Sequence, residues 1–166
     1  MMLFRGFNGQ FGGVAALNMR IATDEDIGRL SRLLEILFSQ EQEFTPNAAL
    51  QEAGLSAIIS NPQVGEIMLA EADGKIIGMV SLLYTVSTAL GARVAILEDM
   101  IVDPDFRGRG VGSRLLEYAL RISRERECAR VTLLTDAGNV GAHRLYERFG
   151  FSKSEMIPFR RSRQCD

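Results

Sequence analysis

Between residues 93 and 135 two stretches with strand character enclose one helical stretch, and this order restricts the possible folds more than any other feature of the chain. Residues 93–102 and 130–135 carry the apolar, β-branched content of strands. Residues 110–127 instead place Val111, Leu115, Leu116, Ala119 and Ile122 on one side at helical spacing. A strand–helix–strand unit of this length closes as a right-handed crossover with its two strands parallel. Just upstream, residues 66–72 and 75–88 flank Asp73-Gly74, a pair suited to the positive backbone angles of a tight hairpin. The sheet is therefore expected to be mixed and mostly antiparallel, with one central parallel pair that splays apart.

The remaining elements fit around that unit. Residues 19–22 read as a strand. Thr23-Asp24-Glu25-Asp26 reads as a helix start, with a hydroxyl cap and acids in the first turn where they suit the helix dipole. Ile27, Leu30, Leu33, Leu34, Leu37 and Phe38 then form an apolar stripe. A second helix opens at Thr45-Pro46, with the proline at its first position, and stops near Asn61-Pro62. A last helix covers 139–149, and a short strand or hairpin follows from Phe151. The sum is an α/β (α+β) domain with about four helices.

A length of 166 residues suits one domain with one core. Residues 1–18 are rich in Gly and Phe and lack both the charged start and the apolar centre of a signal peptide. They read as a flexible N-terminal extension, with Met19 a candidate natural start and 19–166 the domain. A formal net charge of −2 provides no general attraction to nucleic acid or to an anionic membrane. Cys128 and Cys165 form no disulfide framework, and with His143 the sole histidine no metal site is expected. These features suit a cytoplasmic protein.

The most informative short segment is Arg107-Gly108-Arg109-Gly110-Val111-Gly112-Ser113, which joins the first strand of the crossover to its helix. Glycines allow close backbone approach and unusual angles. A helix start presents unpaired amide N–H groups, and two arginines add forked donors suited to phosphate oxygens. The dipole alone contributes about 0.3–1 kcal/mol at an exposed site, so amides and arginines must act together. A dinucleotide fingerprint would need glycine where Ser113 stands, and a P-loop would need Gly-Lys-Ser/Thr. On its own the segment supports an anion site, or a solvated turn.

Two motifs in order give a resemblance. Residues 97–112, Leu-Glu-Asp-Met-Ile-Val-Asp-Pro-Asp-Phe-Arg-Gly-Arg-Gly-Val-Gly, resemble the signature of the GNAT superfamily of N-acetyltransferases. Residues 139–151, Asn-Val-Gly-Ala-His-Arg-Leu-Tyr-Glu-Arg-Phe-Gly-Phe, resemble its second motif. The order of elements is similar to the family's from about Met19 to Phe159. The Leu-Glu-Asp opening is most similar to subgroups that acetylate small free amines, such as diamines, polyamines and amino sugars.

The resemblance implies transfer of an acetyl group from acetyl-CoA to a primary amine of a small molecule, by direct attack in a ternary complex. Acetyl-CoA would lie against Met100, Ile101, Val102, Arg107, Gly108, Arg109, Gly110, Val111, Gly112, Ser113, Asn139 and Tyr146. Glu98 is the candidate base, acting directly or through water. Asp99 is the second choice, since strand alternation points it to the opposite face. A backbone amide of the splayed strand near Met100 to Val102 is the candidate oxyanion donor. Tyr146 occupies the family's acid position, on one helical face with Asn139, Ala142 and His143. Asn139 either holds the pantetheine arm or caps its helix, and His143 reads as a surface or packing residue. Glu41, Glu43 and Phe44 fall where the family covers its acceptor site, while Arg160, Arg161 and Arg163 read as a solvated tail. The short stretch after Gly150 raises the expectation of a homodimer. Two other functions stay open at this point: acetylation of a protein or peptide amine, and an acyl-CoA-binding sensor without turnover.

Overall fold

A computed structural model describes residues 17–40 and 45–161. Glu41, Glu43, Phe44, Arg163, Cys165 and most of the N-terminal extension lie outside the described residues. Packing divides the chain into two compact units, one up to Leu134 and one from Thr135 onward.

The first unit holds strands β1 (Asn18–Ile21), β2 (Gly65–Ala72), β3 (Lys75–Ser87), β4 (Ala92–Val102) and β5 (Val131–Leu133). It also holds helices α1 (Ile27–Phe38), α2 (Ala48–Ile59) and α3 (Val111–Glu125). The second unit holds helix α4 (Val140–Arg148). The strands lie in the sheet in the order β1-β2-β3-β4-β5. The first four pair antiparallel, and β4 pairs parallel with β5, as the crossover requires. The β2–β3 hairpin turns at Asp73 and Gly74, whose φ angles of 51° and 72° are both positive.

Three local expectations need correction. The parallel pair sits at one edge of the described sheet instead of its centre, because the described residues after Gly150 form no strand. Thr45-Pro46 does not open the second helix: Asn47 is its cap, extended at φ −145°, with its side chain accepting the Leu50 N–H at 3.2 Å. An Asn placed one turn before an apolar run outcompetes a Thr as a cap. The acids of 24–26 form a short 3₁₀ turn before α1, and Asp26 is buried there instead of serving the helix dipole at the surface.

The two faces of the sheet are distinct. Ile67, Leu69, Met79 and Ile101 join Leu30, Leu33, Leu34 and Leu55 in one cluster, so this face meets α1 and α2. The other face meets α3 through Leu115, Leu116 and Ala119, all fully buried. Close approach on that side depends on Gly78, where a Cβ would fall 2.9 Å from both Leu115 Cδ1 and the Ile101 carbonyl oxygen.

Two buried carboxylates fix the helices to the strands. The Glu66 carboxylate accepts from Arg126 Nε at 2.9 Å and Nη2 at 2.6 Å, and from the Tyr84 hydroxyl at 2.6 Å. Burial acts to raise its pKa, but Arg126 and Tyr84 outweigh this and lower it. Burial and the Glu66 carboxylate together push the Tyr84 hydroxyl up. Asp26 takes a two-pronged bond from Arg20, at 2.7 and 2.8 Å, a third from Arg29 at 3.0 Å, and the Thr23 N–H at 2.8 Å. The Arg20 guanidinium is the main cause holding the Asp26 carboxyl far below the usual carboxylate range.

A depressed carboxyl pKa stabilises the fold above the unfolded value of about 3.9 and progressively less below it. Asp26→Ala is therefore expected to cost about 2–3 kcal/mol at neutral pH. Urea unfolding checks this, and the gap to the wild type should narrow as the pH falls from 4 towards 2.

Candidate active site

The chemistry-bearing residues of the first unit gather where β4 changes its partners. Pairing with β5 covers Ala95↔Val131 to Leu97↔Leu133, while β4 itself continues to Val102. On its other side the register to β3 shifts: Ser81 pairs with Glu98, but Met79 pairs with Ile101. Two residues of β4, Asp99 and Met100, thus oppose the single Val80, which is a β-bulge. Asp99 adopts φ 51°, a left-handed angle that Asp tolerates better than most residues.

The bulge overturns the expectation that Glu98 and Asp99 face opposite ways. Glu98 lies in register with Ser81 and Ile67, on the face that meets α1 and α2. Regular alternation would send Asp99 to the α3 side, yet Asp99 lines a cleft of about 290 Å³ between α1 and α2. Both carboxylates therefore serve the same side of the sheet. Glu98 is exposed, and Ser81, across from it, is buried with no hydrogen-bond partner for its hydroxyl.

The cleft is built from helical faces. Helix α1 contributes Leu34 and Phe38, one turn apart. The α2 side contributes Asn47, Leu50, Gln51, Gly54, Leu55 and Ile58, whose spacing of three and four follows one helical stripe. Gln51 is buried, and its Oε1 accepts from the Ser31 hydroxyl at 3.3 Å while its Nε2 has no partner. The sequence reading missed Gln51, Gly54 and Ser81. The stripe on α2 was a visible signal, but its mixed polarity gave no reason to choose it over a packing face.

After β4 the chain enters the glycine-rich segment expected to hold an anion. Asp103 accepts from the Asp105 N–H at 3.0 Å and so opens a 3₁₀ turn over Pro104–Phe106. Gly108 and Gly110 follow at φ 73° and 79°, and Gly110 stands at the α3 N-terminus in a left-handed conformation that a side chain would strain. The first amides of α3 have no intrahelical acceptor and no side-chain cap. The two arginines divide the work. Arg107 holds the loop in place, donating from Nε to the Val102 carbonyl at 3.0 Å and from Nη2 to Gln40 Oε1 at 3.3 Å. Arg109 is exposed, with its guanidinium over the Phe106 ring at 5.4 Å. Bare helix amides, left-handed glycines and an exposed guanidinium make a donor set that fits a pyrophosphate.

In the second unit Asn139 caps α4, its side chain accepting the Ala142 N–H at 3.1 Å. The structure thus fills one of the two roles left open for it. His143 Nε2 meets the Asp136 carbonyl at 2.9 Å and holds the turn before α4, consistent with a packing role. Tyr146 is partly buried with its ring edge-on to Phe151 at 5.9 Å, and burial pushes its hydroxyl pKa up. Met156, Ile157 and Phe159 beyond it are exposed, as are Arg160 and Arg161.

A second hollow, about 590 Å³, lies beside Ala92, Arg93 and the C-terminal end of α3. Its cations are already engaged, Arg126 with Glu66 and Arg93 with Gln63, and it stands away from Glu98 and the anion loop. Among the described residues no His/Cys/Asp/Glu group can hold a metal, and no helix is long and apolar enough to cross a membrane.

Residues 30–151 match the acetyltransferase (GNAT) family. The chain is similar to an uncharacterized N-acetyltransferase of Bacillus subtilis (strain 168), 34% identical over 140 residues, spanning 82% of this chain and 91% of that one. It is also similar to an aminoalkylphosphonate N-acetyltransferase of Salmonella typhimurium (strain LT2), 29% identical over 138 residues, spanning 83% and 86%. Its fold matches the crystal structure of a possible acetyltransferase from Clostridium difficile 630, with a TM-score of 0.79 at 15% identity over 90% of this chain and 99% of that one. The chain belongs to the GNAT acetyltransferase family and is an acetyl-CoA-dependent N-acetyltransferase.

Proposed function

We propose that the acceptor is a primary amine of a small molecule and that it attacks the acetyl group directly in a ternary complex. The observation that carries this reading is the bulge at Asp99, which brings Asp99 to a small cleft between α1 and α2 on the face of the sheet that also carries Glu98. Similarity to an N-acetyltransferase of aminoalkylphosphonates supports a small acceptor as well.

The chemistry required is proton management. Acetyl-CoA, when bound, supplies the acetyl thioester. An alkylamine of pKa about 10.4 is neutral in roughly one part in 2,500 at pH 7, a cost of about 4.6 kcal/mol. Glu98, exposed on the acceptor face, takes the ammonium proton directly or through one water. Backbone amides of β4 between Met100 and Val102, beyond the last β5 pair, meet the negative charge that develops on the carbonyl oxygen. Tyr146, a phenol protonated at neutral pH whose pKa burial pushes further up, returns a proton to the departing thiolate. Arg109 and the first amides of α3 hold the pyrophosphate, and Arg107 keeps the loop in shape.

Three substitutions test these roles. Arg109→Glu should weaken acetyl-CoA binding about tenfold or more in calorimetry, and equal affinity would refute the anion-loop assignment. Glu98→Gln should slow turnover more at neutral pH than at pH 10, where much of the amine is already neutral; a loss of equal size across the pH profile would leave Glu98 with positioning only. Tyr146→Phe should lower the rate roughly 10²–10⁴-fold with cofactor affinity little changed. An unaltered single-turnover rate would remove the acid role.

A further inference from the structure

Helix α2 carries a residue that packing does not explain. Gly54 lies mid-helix, where glycine costs about 1 kcal/mol relative to alanine. A Cβ there would meet nothing within 4 Å, so no close neighbour demands its absence. Its effect is to leave the cleft wall bare, one turn from Leu50 and Gln51. Leu50 is 72% exposed on the same stripe, so the cleft presents apolar surface to whatever enters.

The charge on the walls is equally selective. Among the described residues Asp99 is the sole charged group lining the cleft. A phosphate or phosphonate would therefore find no counter-charge among the described lining residues, whereas a single ammonium would find Asp99. The remaining polar feature is Gln51, 8% exposed, with its Nε2 lacking a partner. A buried donor left unpaired is costly, and the loss is recovered when a neutral oxygen meets it.

Resting on the acceptor-site reading above, we propose that this cleft selects a monoamine whose body is apolar and uncharged. Asp99 takes the ammonium, the bare wall at Gly54 admits the body, and Gln51 turns its amide to a neutral carbonyl oxygen where the body carries one. The volume of about 290 Å³ lies at the lower end of small-molecule sites and suits a chain of several methylenes or one aryl ring. A polyamine would bury a second ammonium among Leu34, Phe38 and Leu55 without a partner.

Thiol release from acetyl-CoA by the full chain tests this with propyl-, butyl-, pentyl- and hexylamine, 6-aminohexanamide, spermidine and 2-aminoethylphosphonate. Along the alkyl series kcat/KM should rise about fourfold per methylene, the value of one buried CH₂. Spermidine and 2-aminoethylphosphonate should each fall at least about tenfold below hexylamine. Gly54→Leu should cancel the alkyl trend while acetyl-CoA affinity stays unchanged and the melting temperature holds or rises, since leucine favours the helix over glycine. Gln51→Leu should abolish a preference for 6-aminohexanamide over hexylamine. A flat alkyl series, a preference for spermidine or 2-aminoethylphosphonate, an unaffected Gly54→Leu, or an amide preference that survives Gln51→Leu would each overturn the inference while leaving acetyl transfer to amines intact. No thiol release with any amine, despite acetyl-CoA binding, would overturn the small-amine reading itself.

Discussion

The structure of the site depends on how β4 shares its hydrogen bonds. The strand is held antiparallel by β3 along most of its length and parallel by β5 over Ala95–Leu97. Beyond that point the β5 side ends, and the β3 side absorbs one extra residue at Asp99. A strand paired evenly on both sides would keep its backbone groups and its alternation occupied. Ending one ladder and bulging the other frees the strand from regular alternation and brings Asp99 to the α1–α2 side, and the two changes fall within five residues. The crossover through α3 makes the arrangement possible, because a parallel partner must return over the sheet before it can pair.

That return is anchored at both ends by charge, in different ways. At the C-terminal end of α3, Arg126 is tied to the buried Glu66, which joins β2, β3 and the helix end. At the N-terminal end the amides are bare, and Arg107 is tied only to the strand end and to Gln40 after α1. The saturated pair fixes the helix end, and the unsaturated end is the one proposed to meet an anion. A net charge of −2 is compatible with this, since the loop needs local donors and not a basic surface. Asp26 does for α1 what Glu66 does for α3, gathering two arginines and the Thr23 N–H at the start of the helix.

Most of the architecture was legible because its signals are local and repeat. The crossover, the Asp73-Gly74 turn and the apolar stripes of α1 and α3 each rest on a spacing that backbone geometry enforces. The glycine turn after β4 was legible for the same reason: glycines at positive φ leave a mark in the sequence. Asp99 was misplaced because alternation assumes an uninterrupted strand, and a bulge one residue long changes no apolar pattern. Asp26 was read as a dipole acid because its main partner, Arg20, lies on β1, and burial is a tertiary property. A short strand or hairpin was expected from Phe151 onward, but Met156, Ile157 and Phe159 are exposed and form no ladder among the described residues. The cleft itself had no sequence signature, since it is made by two helices facing each other and not by either alone.

The unmatched polar groups follow the same division between the faces. Among the described residues two buried side-chain atoms have no partner, Ser81 Oγ and Gln51 Nε2. Both belong to the layer between the sheet and helices α1 and α2, the side to which Glu98 and Asp99 turn. On the α3 side Glu66, the buried carboxylate, has every neighbour it needs. An unpaired buried donor or hydroxyl costs about 1–3 kcal/mol, so a fold under no other demand would remove it by an apolar replacement. Such groups stay on one face only, beside a helix thinned by Gly54, and that face is the one proposed to receive the acceptor.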